Sequence, residues 1–273
     1  MRTLRYVIVD VFTATALEGN PLAVFTGADG LDDATMQALA RETNLSETTF
    51  LQRASEGGTA RLRIFTPTAE LPFAGHPIIG SAWVIARATP IHTIGFETGM
   101  GMIPVEIERE GGTLIGARMT QPEPLIGPAD VDVVQLGRDL GVPLVGEPVR
   151  AANGLTHLLC PVADVTPATP NMQALAAYDA QTIYLWAPEQ DGLMRTRMFS
   201  PHDGICEDPA TGSAAGALGA HLLQSGVVEP GRMTILQGVE LHRPSYIEVD
   251  VEPGQPPRVG GSCKVVARGE FQL

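Results

Sequence analysis

Two short stretches of the 273-residue chain gather side chains able to do chemistry. CEDPATGSAAGALGAHL, Cys206–Leu222, sets a thiol, two carboxylates, a hydroxyl and a Gly turn directly ahead of a small-residue helix. ELPFAGHPIIGSAWVIA, Glu70–Ala86, sets an acid, a Gly and a His ahead of a second apolar helix. A helix N-terminus exposes unpaired N–H groups and a partial positive charge, and glycine there lets an anion approach closely. Gly75 and His76 in one stretch, and Gly212 and Ser213 in the other, therefore suit a small carboxylic acid. Taken singly, each Gly is as well read as a tight turn and His76 as a structural or surface residue. A third element is RETNLSETTF, Arg41–Phe50, where Glu47 lies between Ser46 and Thr48 just ahead of an expected strand. A carboxylate in such a half-apolar setting has its pKa drawn upward and suits a base, whereas the bland alternative is a solvated acid in a turn.

The elements that would hold these groups repeat. RLRIFTPTAELPFAGHPIIGSAWVIA from Arg61 and RTRMFSPHDGICEDPATGSAAGALGAHL from Arg195 share alternating Arg, then Phe, Thr or Ser, Pro, an acidic loop, a Gly turn and an apolar helix. With a three-residue insertion in the second loop, Ala74-Gly75-His76 falls on Thr211-Gly212-Ser213. This duplication favours the ligand-binding reading over two unrelated turns. Both helices lack a polar face, so both are expected to be buried, each surrounded by the alternating segments that flank it. The spacing predicts an α+β fold of two similar domains, each a barrel-like, mostly antiparallel sheet around a central helix. Pro77 fits a first helical turn, and Gly226 fits the C-terminal stop of the second helix. A more ordinary amphipathic helix is expected over DDATMQALARET, from Asp32. The domains are expected at 1–120 and 121–273, with the boundary near the Pro-rich run Pro122–Pro128 and the last strand available to complete the first domain.

Composition removes several function classes. Thirteen excess negative charges disfavour nucleic acid and anionic membranes as partners. The single lysine, Lys264, follows GGSC with no Gly-rich loop opening a helix, which disfavours a pyridoxal Schiff base and a P-loop. Cys160, Cys206 and Cys263 form no CxxC pair and are expected to be reduced and mostly buried. HDGICED, His202–Asp208, lacks paired ligand spacing, so no metal is expected, and no G-x-S-x-G elbow supports a serine hydrolase. With no long apolar run, and with Arg5 and Asp10 interrupting the strand-like start, a cytoplasmic protein is expected.

The series DVFTATALEGNPLAVF, NLSETTF, RIFTPTAELPFAGHPIIG, RMFSP, EDPATGSAAG and LQGVELHRPS resembles the PhzF-like family, named for the phenazine-biosynthesis isomerase, along nearly the whole chain. The resemblance implies the fold of diaminopimelate epimerase, with an active site between two domains, no cofactor or metal, and a homodimer. It places the family's catalytic carboxylate on Glu47 and its polar partners on His76, Asp208 and Ser213. Ser46, Gly75 and Gly212 supply close contacts. Where related epimerases carry two opposed cysteine bases this chain has Ala74 and Thr211, so two-thiol racemisation is disfavoured and Cys206 is a decoy. The implied activity is proton transfer on a small carboxylic acid, foremost isomerisation of trans-2,3-dihydro-3-hydroxyanthranilate. Pro209 follows the broader family's pattern, which keeps another small acid open as substrate. A non-catalytic member binding a small acid or a protein is the alternative from a different class.

Overall fold

A computed structural model describes residues 2–273, which divide into two compact units: the chain through Thr120 together with Gly260–Leu273, and Gln121–Val259. The first unit holds β1 (Thr3–Val11), β2 (Asn20–Phe25), α1 (Asp33–Thr43), β3 (Glu47–Gln52), β4 (Ala60–Phe65), β5 (Glu70–Leu71), α2 (Gly75–Ala88), β6 (Thr93–Thr98), β7 (Gly101–Glu110) and β8 (Thr113–Thr120). The second holds β9 (Leu125–Pro128), α3 (Val133–Leu140), β10 (Val149–Ala152), β11 (Thr156–Pro161), α4 (Met172–Leu175), β12 (Thr182–Pro188), β13 (Met194–Ser200), β14 (Ile205–Asp208), α5 (Gly212–Gln224), β15 (Gly231–Gln237) and β16 (Ser245–Val251). Two strands follow, β17 (Arg258–Gly261) at the unit boundary and β18 (Cys263–Gln272) in the first unit.

The duplication extends to the hydrogen-bonding scheme. In the first unit the strands run β18, β1, β2, β3, β4, β6, β7, β8, antiparallel except at β2–β3 and β4–β6. In the second they run β9, β10, β11, β12, β13, β15, β16, again antiparallel except at β11–β12 and β13–β15. Short β5 and β14 hang on β4 and β13. Each second parallel pair requires a crossover, and the crossover is the apolar helix: α2 between β4 and β6, α5 between β13 and β15.

Both helices are buried over most of their length, as their composition predicts. Close approach of the sheet depends on glycine. A Cβ at Gly80 would lie 2.7 Å from the Leu22 side chain and 2.8 Å from that of Val11, and one at Gly219 would lie 2.8 Å from Val249. Pro77 sits in the first turn of α2. Beyond α5, Gly226 takes φ 69° while its N–H and that of Val227 bond back to Leu223 and Leu222, closing a Schellman motif. Helix α1 starts one residue after its Asp32 cap, which accepts from the Thr35 N–H, and buries Met36, Leu39 and Ala40 against Phe25, Phe50 and Phe65.

The pleat of β3 then decides where Glu47 points. Phe50 packs in the α1 cluster, while the Thr49 hydroxyl lies 2.9 Å from that of Ser81 on α2. Residues two apart share a face, so Glu47 is delivered to the same side as Thr49, toward α2. On β2, Asn20 shares the face of Leu22, which packs against Gly80 of that helix.

The Pro-rich run Pro122–Pro128 lies just past the division of the units at Thr120/Gln121, and its Leu125–Pro128 forms β9 and pairs with β10. Cys160 and Cys263 are buried, but Cys206 is exposed.

Candidate active site

The first unit brings Ser46, Glu47, Gly75 and His76 together. Ala74 is the extended N-cap of α2 and has no side chain to cap it, and no acid occupies the first turn. The early N–H groups are thus left without a side-chain acceptor, as an anion-binding helix end requires. His76, 4% exposed at the second helical position, has its pKa pushed down to about 3 by burial and is neutral at physiological pH. Its Nε2 lies 3.4 Å from Glu47 Oε2, and its Nδ1 lies 3.2 Å from Asn20 Nδ2. Ser46 Oγ donates to Asn20 Oδ1 at 3.2 Å. Glu47, the first residue of β3, keeps 13% side-chain exposure: largely desolvated, yet open at one side.

The second unit brings Asp208, Gly212 and Ser213 together. Thr211 is the N-cap of α5, yet its hydroxyl does not cap the helix. It donates to Asp208 Oδ2 at 2.6 Å and accepts from Gln237 Nε2 at 3.0 Å. The same Gln237 nitrogen holds the Asp208 carbonyl at 2.8 Å, and Tyr184 donates to Gln237 Oε1 at 3.0 Å. Asn153 donates to the Ser213 carbonyl at 2.9 Å, and Gln121 to the Gly212 carbonyl at 2.9 Å. Asp208 and Ser213 are 5% and 3% exposed, so both are fixed side chains in a dry setting.

A clamp steadies the approach to each helix. Arg63 grips Glu70 through two bonds of 2.6 Å, and Arg197 grips Glu207 through bonds of 2.9 and 2.8 Å. Both guanidinium groups lie 5.2 Å above a Phe ring, Phe65 and Phe199. Each Glu precedes its helix-opening glycine by five positions, so the three-residue insertion expected in the second loop lies between the Arg and the Glu.

Sequence reasoning assigned no role to Asn20, Gln237, Asn153 or either clamp, although Asn20 and Gln237 lie inside quoted motifs. The available signal was a polar side chain at the end of an otherwise apolar strand. Among the described residues, no three His, Cys, Asp or Glu side chains cluster to hold a metal, and no helix is long and apolar enough to cross a membrane.

Two mostly antiparallel sheets, each carrying a buried helix with an uncapped N-terminus, place the protein in the class with the diaminopimelate epimerase-like fold. A hydroxyproline epimerase from Agrobacterium vitis matches that architecture with a TM-score of 0.70 at 14% identity, over 98% of this chain and 92% of its own. The chain belongs to the phenazine biosynthesis-like protein family, whose model matches residues 9–269. A trans-2,3-dihydro-3-hydroxyanthranilate isomerase of Pseudomonas fluorescens is 44% identical over 252 residues, 90% of each chain. The crystal structure of a phenazine biosynthesis protein of the PhzF family from Bacillus anthracis matches with a TM-score of 0.89 at 25% identity, covering all of both chains.

Proposed function

We propose that the protein is a cofactor-independent isomerase that moves a proton between carbons of trans-2,3-dihydro-3-hydroxyanthranilate, with Glu47 as the acid/base. The observation that carries this reading is the placement of Glu47: a largely desolvated carboxylate at a strand start, 3.4 Å from a buried neutral imidazole. A proton on a carbon next to a conjugated system is only weakly acidic, so its base must be close, dehydrated and aligned. Glu47 takes that proton and returns it to a second carbon, which leaves the enzyme and the atom count unchanged. His76 supports the carboxylate. Asp208 and Ser213 bind amino or hydroxyl groups of the substrate, and Ser46, Gly75 and Gly212 make close contacts. The uncapped end of α2, in the unit that carries Glu47, receives the substrate carboxylate. The names of the curated relatives support the choice of substrate.

The reading further holds that the enzyme needs neither metal nor organic cofactor, and that it is a cytoplasmic homodimer. Chelation and dialysis should leave turnover unchanged, and light scattering should give twice the chain mass. The direct test is incubation of the purified protein with trans-2,3-dihydro-3-hydroxyanthranilate, followed by NMR. Isomerised product is expected. Turnover of another small acid in its place would reassign the substrate, and proton movement on no small acid would overturn the enzymatic reading.

A further inference from the structure

Asn20 sits at the start of β2, fully buried, with one end of its amide against His76 and the other against Ser46. We infer that Asn20 is a positioning residue that sets the His76 tautomer, so that the imidazole presents Nε2–H, and not a lone pair, to Glu47. The inference rests on the proposed role of Glu47 and adds the identity of the group that faces it.

Both ends of the imidazole call for the same proton placement. A neutral ring carries one N–H and one lone pair, and its partners select between them. On one side stands Glu47 Oε2 at 3.4 Å, which as an ionised carboxylate accepts only. On the other stands the Asn20 NH2 group at 3.2 Å, which donates only. Nδ1 must therefore accept and Nε2 must carry the hydrogen. The far end of the amide is compatible with this sense, because the Ser46 hydroxyl donates to its oxygen at 3.2 Å; the sense itself is set by the carboxylate on the other side of the ring. A directed chain results, from Ser46 hydroxyl to Asn20 oxygen and from Asn20 amide to Nδ1, and it leaves Nε2–H facing Glu47 Oε2 across 3.4 Å, an electrostatic contact without hydrogen-bond geometry. The opposite tautomer would set a lone pair against the carboxylate and an N–H against an NH2.

The second unit offers an internal comparison. There a buried Asn153 also reaches the second residue of the central helix, but that residue is Ser213 and the bond goes to its carbonyl. A serine has no tautomer to fix, so the Asn serves the backbone. Asn153 meets a ring as well, its Oδ1 lying 3.1 Å from His157 Nε2, but His157 is not on the central helix, so only in the unit that carries Glu47 does the Asn address a ring at the helix start.

The tautomer is read directly from long-range ¹H–¹⁵N correlations of histidine-labelled protein at neutral pH, with His76→Asn used to assign the signals. Wild type should show a protonated Nε2 and an unprotonated Nδ1. In Asn20→Asp a carboxylate faces each ring nitrogen, so Nδ1 should gain a proton beside Nε2–H and give an imidazolium, and kcat should fall at least about tenfold, as a wrongly protonated catalytic histidine does elsewhere. Asn20→Leu, which neither donates nor accepts, should mix the tautomers and give an intermediate kcat with a near wild-type KM. A wild-type spectrum with the proton on Nδ1 would overturn the inference regardless of activity, even if neither variant folds. A shifted tautomer or protonation state with unchanged kcat would also overturn it. Full activity of Glu47→Gln would instead sink the proposed function and leave the tautomer result standing.

Discussion

The duplicated clamp allows burial to be weighed against geometry within one chain. Arg63 and Arg197 make the same two-pronged bond to a Glu and lie at the same distance over a Phe. Their partners differ in exposure: the Glu207 side chain is 11% exposed, whereas Glu70 and Asp33, the two partners of Arg63, are 41% and 81% exposed. Arg197 also donates to the carbonyls of Val165 and Ala168 at 3.2 and 2.9 Å. Replacing Arg197 by Met leaves a carboxylate and two carbonyls without their partner in a dry setting, and breaking such a buried pair costs about 3–5 kcal/mol. Arg63→Met frees acids that water can reach, and a surface pair contributes about 1 kcal/mol or less. With a urea m-value of about 2–3 kcal/mol/M, the Arg197 variant should lose roughly 0.7–2 M more in unfolding midpoint than the Arg63 variant. The chain's two tryptophans, Trp83 and Trp186, fall one in each unit, so Trp→Phe backgrounds report the units separately by fluorescence. Equal midpoint shifts, or a larger one for Arg63→Met, would refute the argument from burial.

Two further outcomes follow from the same contacts. His76 and His157 both have their pKa values lowered to about 3 by burial, so the folded state resists their protonation while the unfolded chain takes protons up near pH 6.5. Their contribution to stability is present above that pH and is lost as pH falls toward 3. Unfolding free energies from urea titrations at pH 7 and pH 5 should differ by about 2 kcal/mol per histidine, and His157→Gln should remove one such share. Thr211→Val, which deletes the hydroxyl held 2.6 Å from Asp208, should lower kcat/KM by roughly 10- to 100-fold with little loss of fold; an unchanged value would show that Asp208 needs no such donor.

Local signals announced the repeat. The Arg–Phe–Pro order and the Gly-opened apolar helices stand in continuous stretches, and a helix with no polar face has to be buried. The place of Glu47 at a strand start was legible because hydroxyls ahead of a β-prone run are a local feature; the choice of a base over a solvated acid came from the family resemblance and not from the local pattern. The parallel pairings were not, since β4–β6 and β13–β15 join segments separated by a helix. Asn20 escaped notice because its partners, Ser46 and His76, lie 26 and 56 residues away. Gln237 is likewise linked to Asp208 and Thr211 only through the fold. Thr211 was read only as standing where related epimerases carry a cysteine; the structure shows its hydroxyl holding Asp208.

The central claim, that Glu47 carries the proton, is tested most directly by Glu47→Gln turned over with trans-2,3-dihydro-3-hydroxyanthranilate in D₂O beside the wild type. Gln preserves the shape and removes the basicity. The account predicts isomerised product from the wild type, with deuterium entering at the accepting carbon to the extent that the carried proton exchanges with solvent. The variant should remain folded and lose about 10²- to 10⁴-fold in rate. A folded variant that isomerises the substrate at the wild-type rate would contradict the account.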